Sequence, residues 1–151
     1  MKEPVAGKRA AKAGQPGVQF GALPFRRGEA GLEILLVTSR ETRRWVIPKG
    51  WPMKGKTPQG AAAREALEEA GVTGRIGKGA VGAYPYLKRL KNGAPAPCMV
   101  RVFPLEVLRE HETWPEMEQR ERRWFSPAVA AAAVEEPELS ELILEFAARG
   151  A

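Results

Sequence analysis

Cysteine and histidine are nearly missing from this chain: Cys98 is the only cysteine and His111 the only histidine. A single cysteine excludes an intrachain disulfide and a thiolate-built metal site, and makes a reducing cytoplasm the default surroundings. No apolar run approaches the roughly 18 residues that a membrane span needs, so a membrane is not an expected partner. The N-terminus is basic but has no apolar core segment, so it does not read as a secretory signal. Internal repeats are also lacking. Aromatic residues are sparse, at 7%, and none is interleaved with the basic residues Lys2, Lys8, Arg9 and Lys12 near the start. That argues against a nucleic-acid-binding arm and for a flexible, solvated basic tail over residues 1–16, rich in Ala, Gly and Pro.

What is present is enough for one domain, expected over residues 17–151. The chain has 151 residues, 44% hydrophobic and 28% charged, which supports a real core. The net charge of +6 suits an anionic partner, and a small-molecule polyphosphate fits it as well as a nucleic acid does. Residues 18–25 and 32–38 read as strands around a Gly-containing turn, and the run Ile34–Val37 is apolar throughout, as in a strand covered on both faces. Trp45, Val46 and Ile47 form a short strand stopped by Pro48, and a loop rich in Gly, Pro and Lys follows over residues 49–56. Residues 81–90 and 99–107 read as a long hairpin with Asn92–Gly93 near its turn. A short strand over residues 122–125 precedes an alanine-rich helix opened by Ser126–Pro127 and a last helix over residues 137–148. Strands mixed with a few helices imply an α/β layered fold.

Between loop and hairpin lies a helix with clear ends. Thr57 suits the N-cap, Pro58 the first turn, and Gly71 the left-handed position after the last turn. At about 100° per residue, Ala62, Ala63, Ala66, Leu67 and Ala70 share one side. Arg64, Glu65, Glu68 and Glu69 share the other, with Ala61 among them. Glu65 stands three and four residues before Glu68 and Glu69, so the three carboxylates project toward one patch, and only Arg64 offsets them. Such like-charge pairs each cost about 0.2–0.5 kcal/mol, and the helix dipole disfavours them near a C-terminus. A locally unfavourable choice points to function, although a solvated acidic face is the plainer alternative. An oxygen-only cluster suits Mg²⁺, or Mn²⁺ in its place, whereas zinc would want His or Cys.

The surrounding run, GWPMKGKTPQGAAAREALEEAGV from Gly50 to Val72, resembles the Nudix box, G-x5-E-x7-R-E-U-x-E-E-x-G-U with U a bulky apolar residue. Gly50, Arg64, Glu65, Glu68, Glu69, Gly71 and Val72 fall on consensus positions, and Ala66 is a small U. The first glutamate of the box is replaced by Lys56. In the family that glutamate pairs with the arginine, so the departure puts the bracing of the loop in doubt and leaves the carboxylate trio complete.

The resemblance implies a mixed β-sheet sandwiched between helices (α/β/α) and hydrolysis of a phosphoanhydride by water attacking phosphorus. Mg²⁺ would be held by Glu65, Glu68, Glu69 and the carbonyl of Gly50. Glu69, or Glu68 in its place, would act as base, and Arg64 would complete the catalytic set. Glu116 and Glu118 are weaker candidates for a base outside the box. Within the family, the run from Arg44 to Gly50 and the run Arg122-Arg123-Trp124-Phe125 are most similar to diphosphoinositol polyphosphate and diadenosine polyphosphate hydrolases. The anionic substrates of those enzymes would meet Arg44, Lys49, Lys54, Lys56, Lys88 and Arg89, with Arg43 and Lys91 adding to the field. Lys56 would join Lys49 and Lys54 as a basic edge. ADP-ribose, a nucleoside triphosphate or an RNA 5′ end are alternative substrates, and a non-catalytic Nudix-fold regulator is the alternative in kind. Many members are homodimers, which is left open here. His111 is expected to be solvent-exposed, Cys98 to be a small buried hydrophobe, and Tyr84 and Tyr86 to share one strand face.

Overall fold

The computed structural model describes residues 17–150; the basic tail expected over residues 1–16 lies outside the described residues. Strands β1 (Gly17–Gly28) and β2 (Gly31–Thr38) form an antiparallel hairpin. Strands β3 (Trp45–Val46) and β8 (Arg122–Phe125) both pair with β2. On its other side β1 runs parallel to the 16-residue β7 (Pro95–Glu110). Strands β5 (Val72–Ile76) and β6 (Gly82–Arg89) add to β7 antiparallel. The result is one mixed sheet.

Alternation along the strands feeds two cores, one on each face. Leu23, Phe25, Ile34, Leu36, Val100 and Val102 point toward helices α2 (Pro127–Ala133) and α3 (Pro137–Ala148), where Leu139, Ile143 and Phe146 meet them. Ala22, Leu35, Val37, Phe103 and Leu105 point the other way, onto helix α1 (Pro58–Glu65), which continues as a π-helical turn, Ala66–Ala70. Ile34 through Val37 are fully buried, which is why that run carries no polar residue. The expected α/β/α sandwich is what the chain forms.

Three elements depart from expectation. The loop after Pro48 begins with strand β4 (Lys49–Gly50), paired with β1 at Gly21 and Phe20. Strand β5 is unanticipated; its sequence VTGRI has a bulge between Thr73 and Gly74 and lacks a clean period of two. The second hairpin strand starts at Pro95 rather than near residue 99, pairing with Arg89 directly across the turn.

Candidate active site

The helix bearing the carboxylates starts as its sequence dictates. Thr57 Oγ1 accepts the Gly60 amide at 3.0 Å, Pro58 follows, and the small faces of Ala62, Ala66 and Ala70 let the helix sit close against the sheet. Its end is different from an ordinary α-helix. From Ala66 the chain widens into a π-turn, a feature frequent at functional sites. Gly71, at φ 69°, closes it in the left-handed conformation. The helix packs on β1 and β4 together, so burial reaches Ala61 and also Glu69, which are 1% and 7% exposed. A helical wheel puts both on the solvent side, and the two strands packed against the helix bury them. Ala63 and Leu67 are partly exposed instead.

The Glu69 carboxyl, four residues after that of Glu65, meets it on the inner side of the helix. Burial, and then the adjoining Glu69, push Glu65 up to about 8. Burial also raises Glu69, opposed by Arg120 and Lys49. Glu68 does not join them: its Oε2 accepts from Arg64 Nε at 2.7 Å. With Lys56 where the family has a glutamate, the loop offers Arg64 no counter-charge, and the carboxylate one turn along takes that place. The glutamates thus share a helix end without converging on one point. Among the described residues no three carboxylate, imidazole or thiolate side chains form a ready-made cage.

The donor set nevertheless fits a hard divalent cation. Two adjoining carboxyls that burial holds above the ordinary carboxylate range form a place where a cation can be received. The Glu65 carboxylate also lies so close to the α-carbon of Gly50 that any side chain at that position would collide with it. This juxtaposition brings the backbone of β4 to the acidic pair.

The segment joining β7 to β8 closes the site, and its part is not legible from local sequence patterns. His111 N donates to Gly71 O at 2.7 Å, Glu116 N to Glu68 O at 3.0 Å, and Trp114 Nε1 to Glu69 O at 3.2 Å. Arg122 Nη1 reaches Ala70 O and Gly71 O at 2.9 and 3.2 Å while its guanidinium lies over Trp114. Together they satisfy carbonyls that a helix C-terminus leaves open. Arg120 is nearly buried and gathers three groups. Its Nε bonds Glu116 at 2.7 Å, Nη2 lies 3.5 Å from Glu69, and Nη1 donates to Thr38 O at 3.1 Å. His111 is therefore not simply solvated: its Nε2 is 3.0 Å from Thr73 Oγ1. The clue was present in the sequence as a cation-rich run, Arg120 to Arg123, for which the acidic helix end had a need.

The basic residues separate into groups. Lys49 donates its backbone N–H to Glu69 Oε1 at 3.4 Å, and its ammonium sits 4.8 Å from the centre of the Tyr86 ring. Burial lowers that ammonium to about 8, with Glu69 and Glu136 acting against the shift. Tyr84, Tyr86 and Lys88 alternate on one face of β6, and Tyr86 donates its hydroxyl to Gln19 at 2.7 Å. Arg89 is on the opposite face and bonds Gly93 O of its own turn at 2.9 Å. Lys54 and Lys56 are exposed on the loop before α1. Arg44 is held by Glu136 at 2.7 Å and approached by Glu135 at 3.9 Å. Arg43 donates to Gln119 O. Of the six cations expected to bind substrate, Arg44 and Lys88 lie within electrostatic reach of Lys49. Cys98 is buried, as expected.

A family model of the NUDIX domain matches residues 15–146. Among curated proteins, Nudix hydrolase 16, mitochondrial, of Arabidopsis thaliana is 31% identical over 83% of this chain and 76% of its own length. Nudix hydrolase 12, mitochondrial, of the same plant is 37% identical over 63% of this chain. Diphosphoinositol polyphosphate phosphohydrolase 3-alpha of Mus musculus is 36% identical over 66% of this chain and 58% of its own length. The chain spans about half the length of Nudix hydrolase 12, 48%. Among solved structures, the Ap4A hydrolase of C. elegans shares the fold at a TM-score of 0.64 and 22% identity, over 89% of this chain and 98% of that one. A Nudix hydrolase from Nitrosomonas europaea does so at 0.66 and 20%, over 90% and 91%. The relatives are of mixed kinds and do not single out the diadenosine or diphosphoinositol enzymes.

Proposed function

The chain belongs to the Nudix family, and we propose that it hydrolyses a phosphoanhydride bond in a nucleoside-diphosphate-X or polyphosphorylated substrate, of diadenosine polyphosphate or diphosphoinositol polyphosphate type. The observation that carries this reading is the Glu65–Glu69 carboxyl pair set against Gly50, with Glu69 buried and Glu65 half-buried. Keeping two acidic groups in contact and away from water is costly unless a cation is to be received there.

Glu65 and Glu69, with Glu68 after release from Arg64 and the carbonyl of Gly50, would hold Mg²⁺ or Mn²⁺. Bound there, the ion supplies Lewis-acid polarisation of a phosphoryl oxygen and a more acidic water. The chain's own residues do the rest. Glu69, anchored by Arg120 and the Lys49 amide, would accept the proton of the attacking water. Lys49 and Lys88, beside Tyr86, present positive charge to the phosphate chain. Arg120 and Glu116 keep the acidic end in register.

The test is turnover with Mg²⁺ of diadenosine polyphosphates, inositol pyrophosphates, ADP-ribose and nucleoside triphosphates, comparing wild type with Glu69→Gln. The variant should lose about a hundredfold or more in kcat on whichever substrate is used. Full activity in Glu69→Gln removes Glu69 from the chemistry. A silent panel with ligands still binding makes the chain a regulator rather than an enzyme.

A further inference from the structure

Residues paired directly across neighbouring strands point to the same face of a sheet. The register therefore sets Gln19 beside Val100 and Tyr84 on the face that α2 and α3 cover, with Cys98, Tyr86 and Lys88 following along it. Lys49 joins them from β4: it pairs with Gly21, and a Cβ on Gly21 would meet the Lys49 Cβ at 3.3 Å. The Lys49 ammonium ends 4.8 Å from the centre of the Tyr86 ring, and the Tyr86 hydroxyl donates to Gln19 Oε1 at 2.7 Å. Gly50, the next residue, turns to the opposite face and meets Glu65. Strand β4 is thus a shared wall. The Lys49 backbone N–H reaches Glu69, while the Lys49 side chain leads to Tyr86 and Gln19.

Gln19 is 2% exposed, and a buried amide needs partners at both its ends. Its oxygen has Tyr86. Its nitrogen has no partner among the described residues, yet it is not sealed off: the side-chain atom shut away from water without a partner is Glu136 Oε1. A phenol has one proton to give, so its bond to Oε1 fixes which end of the amide faces outward. Gln19 thus presents N–H donors beside two ammonium groups, Lys49 and Lys88, neither of them ion-paired among the described residues. Lys49 already lies over the Tyr86 ring, which leaves that face of the ring no room for a base.

Resting on the hydrolase reading above, we propose that Gln19 is a specificity-determining residue whose amide N–H donates to an oxygen of a phosphate beyond the anhydride being cleaved. With the reacting phosphate at the acidic pair, the rest of the phosphate-bearing substrate passes the end of β4 onto Lys49, Lys88 and Gln19. The site accordingly prefers substrates with a further phosphate over those bearing only the two of the cleaved anhydride, which leave the amide unfilled. The ammonium groups supply charge, and the locked amide supplies direction.

The experiment is calorimetric titration, without added metal, of inositol hexakisphosphate and, separately, of adenosine. The first probe carries phosphates and no anhydride, the second a base and no phosphate. The proteins are wild type, Gln19→Leu, which removes the donor, Gln19→Glu, which puts a charged acceptor in its place, and Tyr86→Phe, which lets the amide turn. Thermal melts identify the folded variants. Affinity for inositol hexakisphosphate should fall about tenfold in Gln19→Leu, further in Gln19→Glu, and about threefold in Tyr86→Phe. Adenosine should bind all four proteins alike. Tyr86→Phe removes a single oxygen and keeps the assignment open to refutation should both Gln19 variants fail to fold. Unchanged inositol hexakisphosphate affinity in the folded variants overturns the assignment, as does its failure to bind wild type. A loss confined to adenosine also overturns it, by showing that the amide reads a base. Turnover of the substrate panel by wild type with Mg²⁺ is read in parallel. Its absence, with the Gln19-dependent binding intact, removes the hydrolase reading and leaves the role of Gln19 standing.

Discussion

The two ends of the acidic helix are held by different physics. At its start, Thr57 caps the first turn on exposed surface, and farther along the solvent face Arg64 pairs with Glu68, both between near neighbours in sequence. At its finish, the π-turn and the carbonyls beyond it are held by His111, Trp114, Glu116 and Arg122, all from the segment after β7. Acidic residues near a helix C-terminus oppose the dipole, and here distant cations make the arrangement tolerable. The exposed end needs only local chemistry, whereas the end carrying the buried carboxyls depends on a segment about 40 residues away in sequence.

Substitutions at the two ends should therefore differ in size. Arg120→Ala should be the most damaging, leaving Glu69 and Glu116 without their shared partner. A loss of about 3 kcal/mol in urea unfolding is expected, and a loss near zero would show that the buried end is not held as described. Gly71→Ala comes next, since a Cβ there would meet Trp114 at 2.5 Å and Arg122 at 2.7 Å in a left-handed backbone. About 2 kcal/mol should be lost, with altered tryptophan fluorescence as Trp114 is displaced. Thr57→Ala should cost about 1 kcal/mol, the ordinary value of an N-cap, without changing the fluorescence. Arg64→Ala should cost least, about 0.3 kcal/mol, because its pair is exposed and lies along one helix face. Equal effects for Gly71→Ala and Thr57→Ala would erase the contrast between the ends.

The same contrast explains what could be read in advance. Thr57, Pro58 and Gly71 mark the helix because capping is local, and the run Ile34–Val37 marks a two-faced strand because burial on both sides leaves no polar position. The glutamates could be named from their spacing and the box, but not their arrangement. The spacing sets Glu65 beside Glu69, but not the burial of Glu69 against the sheet or the pairing of Glu68 with Arg64. The parts played by His111, Trp114, Arg120 and Arg122 were hidden because their partners are backbone carbonyls and carboxylates on other elements. Strand β5 escaped notice because Gly74 and Arg75 interrupt its alternation at a bulge. Arg44 was expected as a phosphate ligand from charge alone, and charge alone does not reveal that Glu136 holds it.

The parallel pairing of β1 with β7 carries a consequence for the order in which the molecule is made. Gly17 through Phe25 find their parallel partners at Cys98 through Glu106. A ribosome emitting the chain from its N-terminus therefore releases the acidic helix well before the centre of the sheet can close. Contacts so widely separated in sequence are entropically slow to form. Throughout that interval the helix has its Thr57 cap but not the segment that secures its far end. Glu65, Glu68 and Glu69 then remain ordinary hydrated side chains, and the acidic site comes into being among the last events of folding.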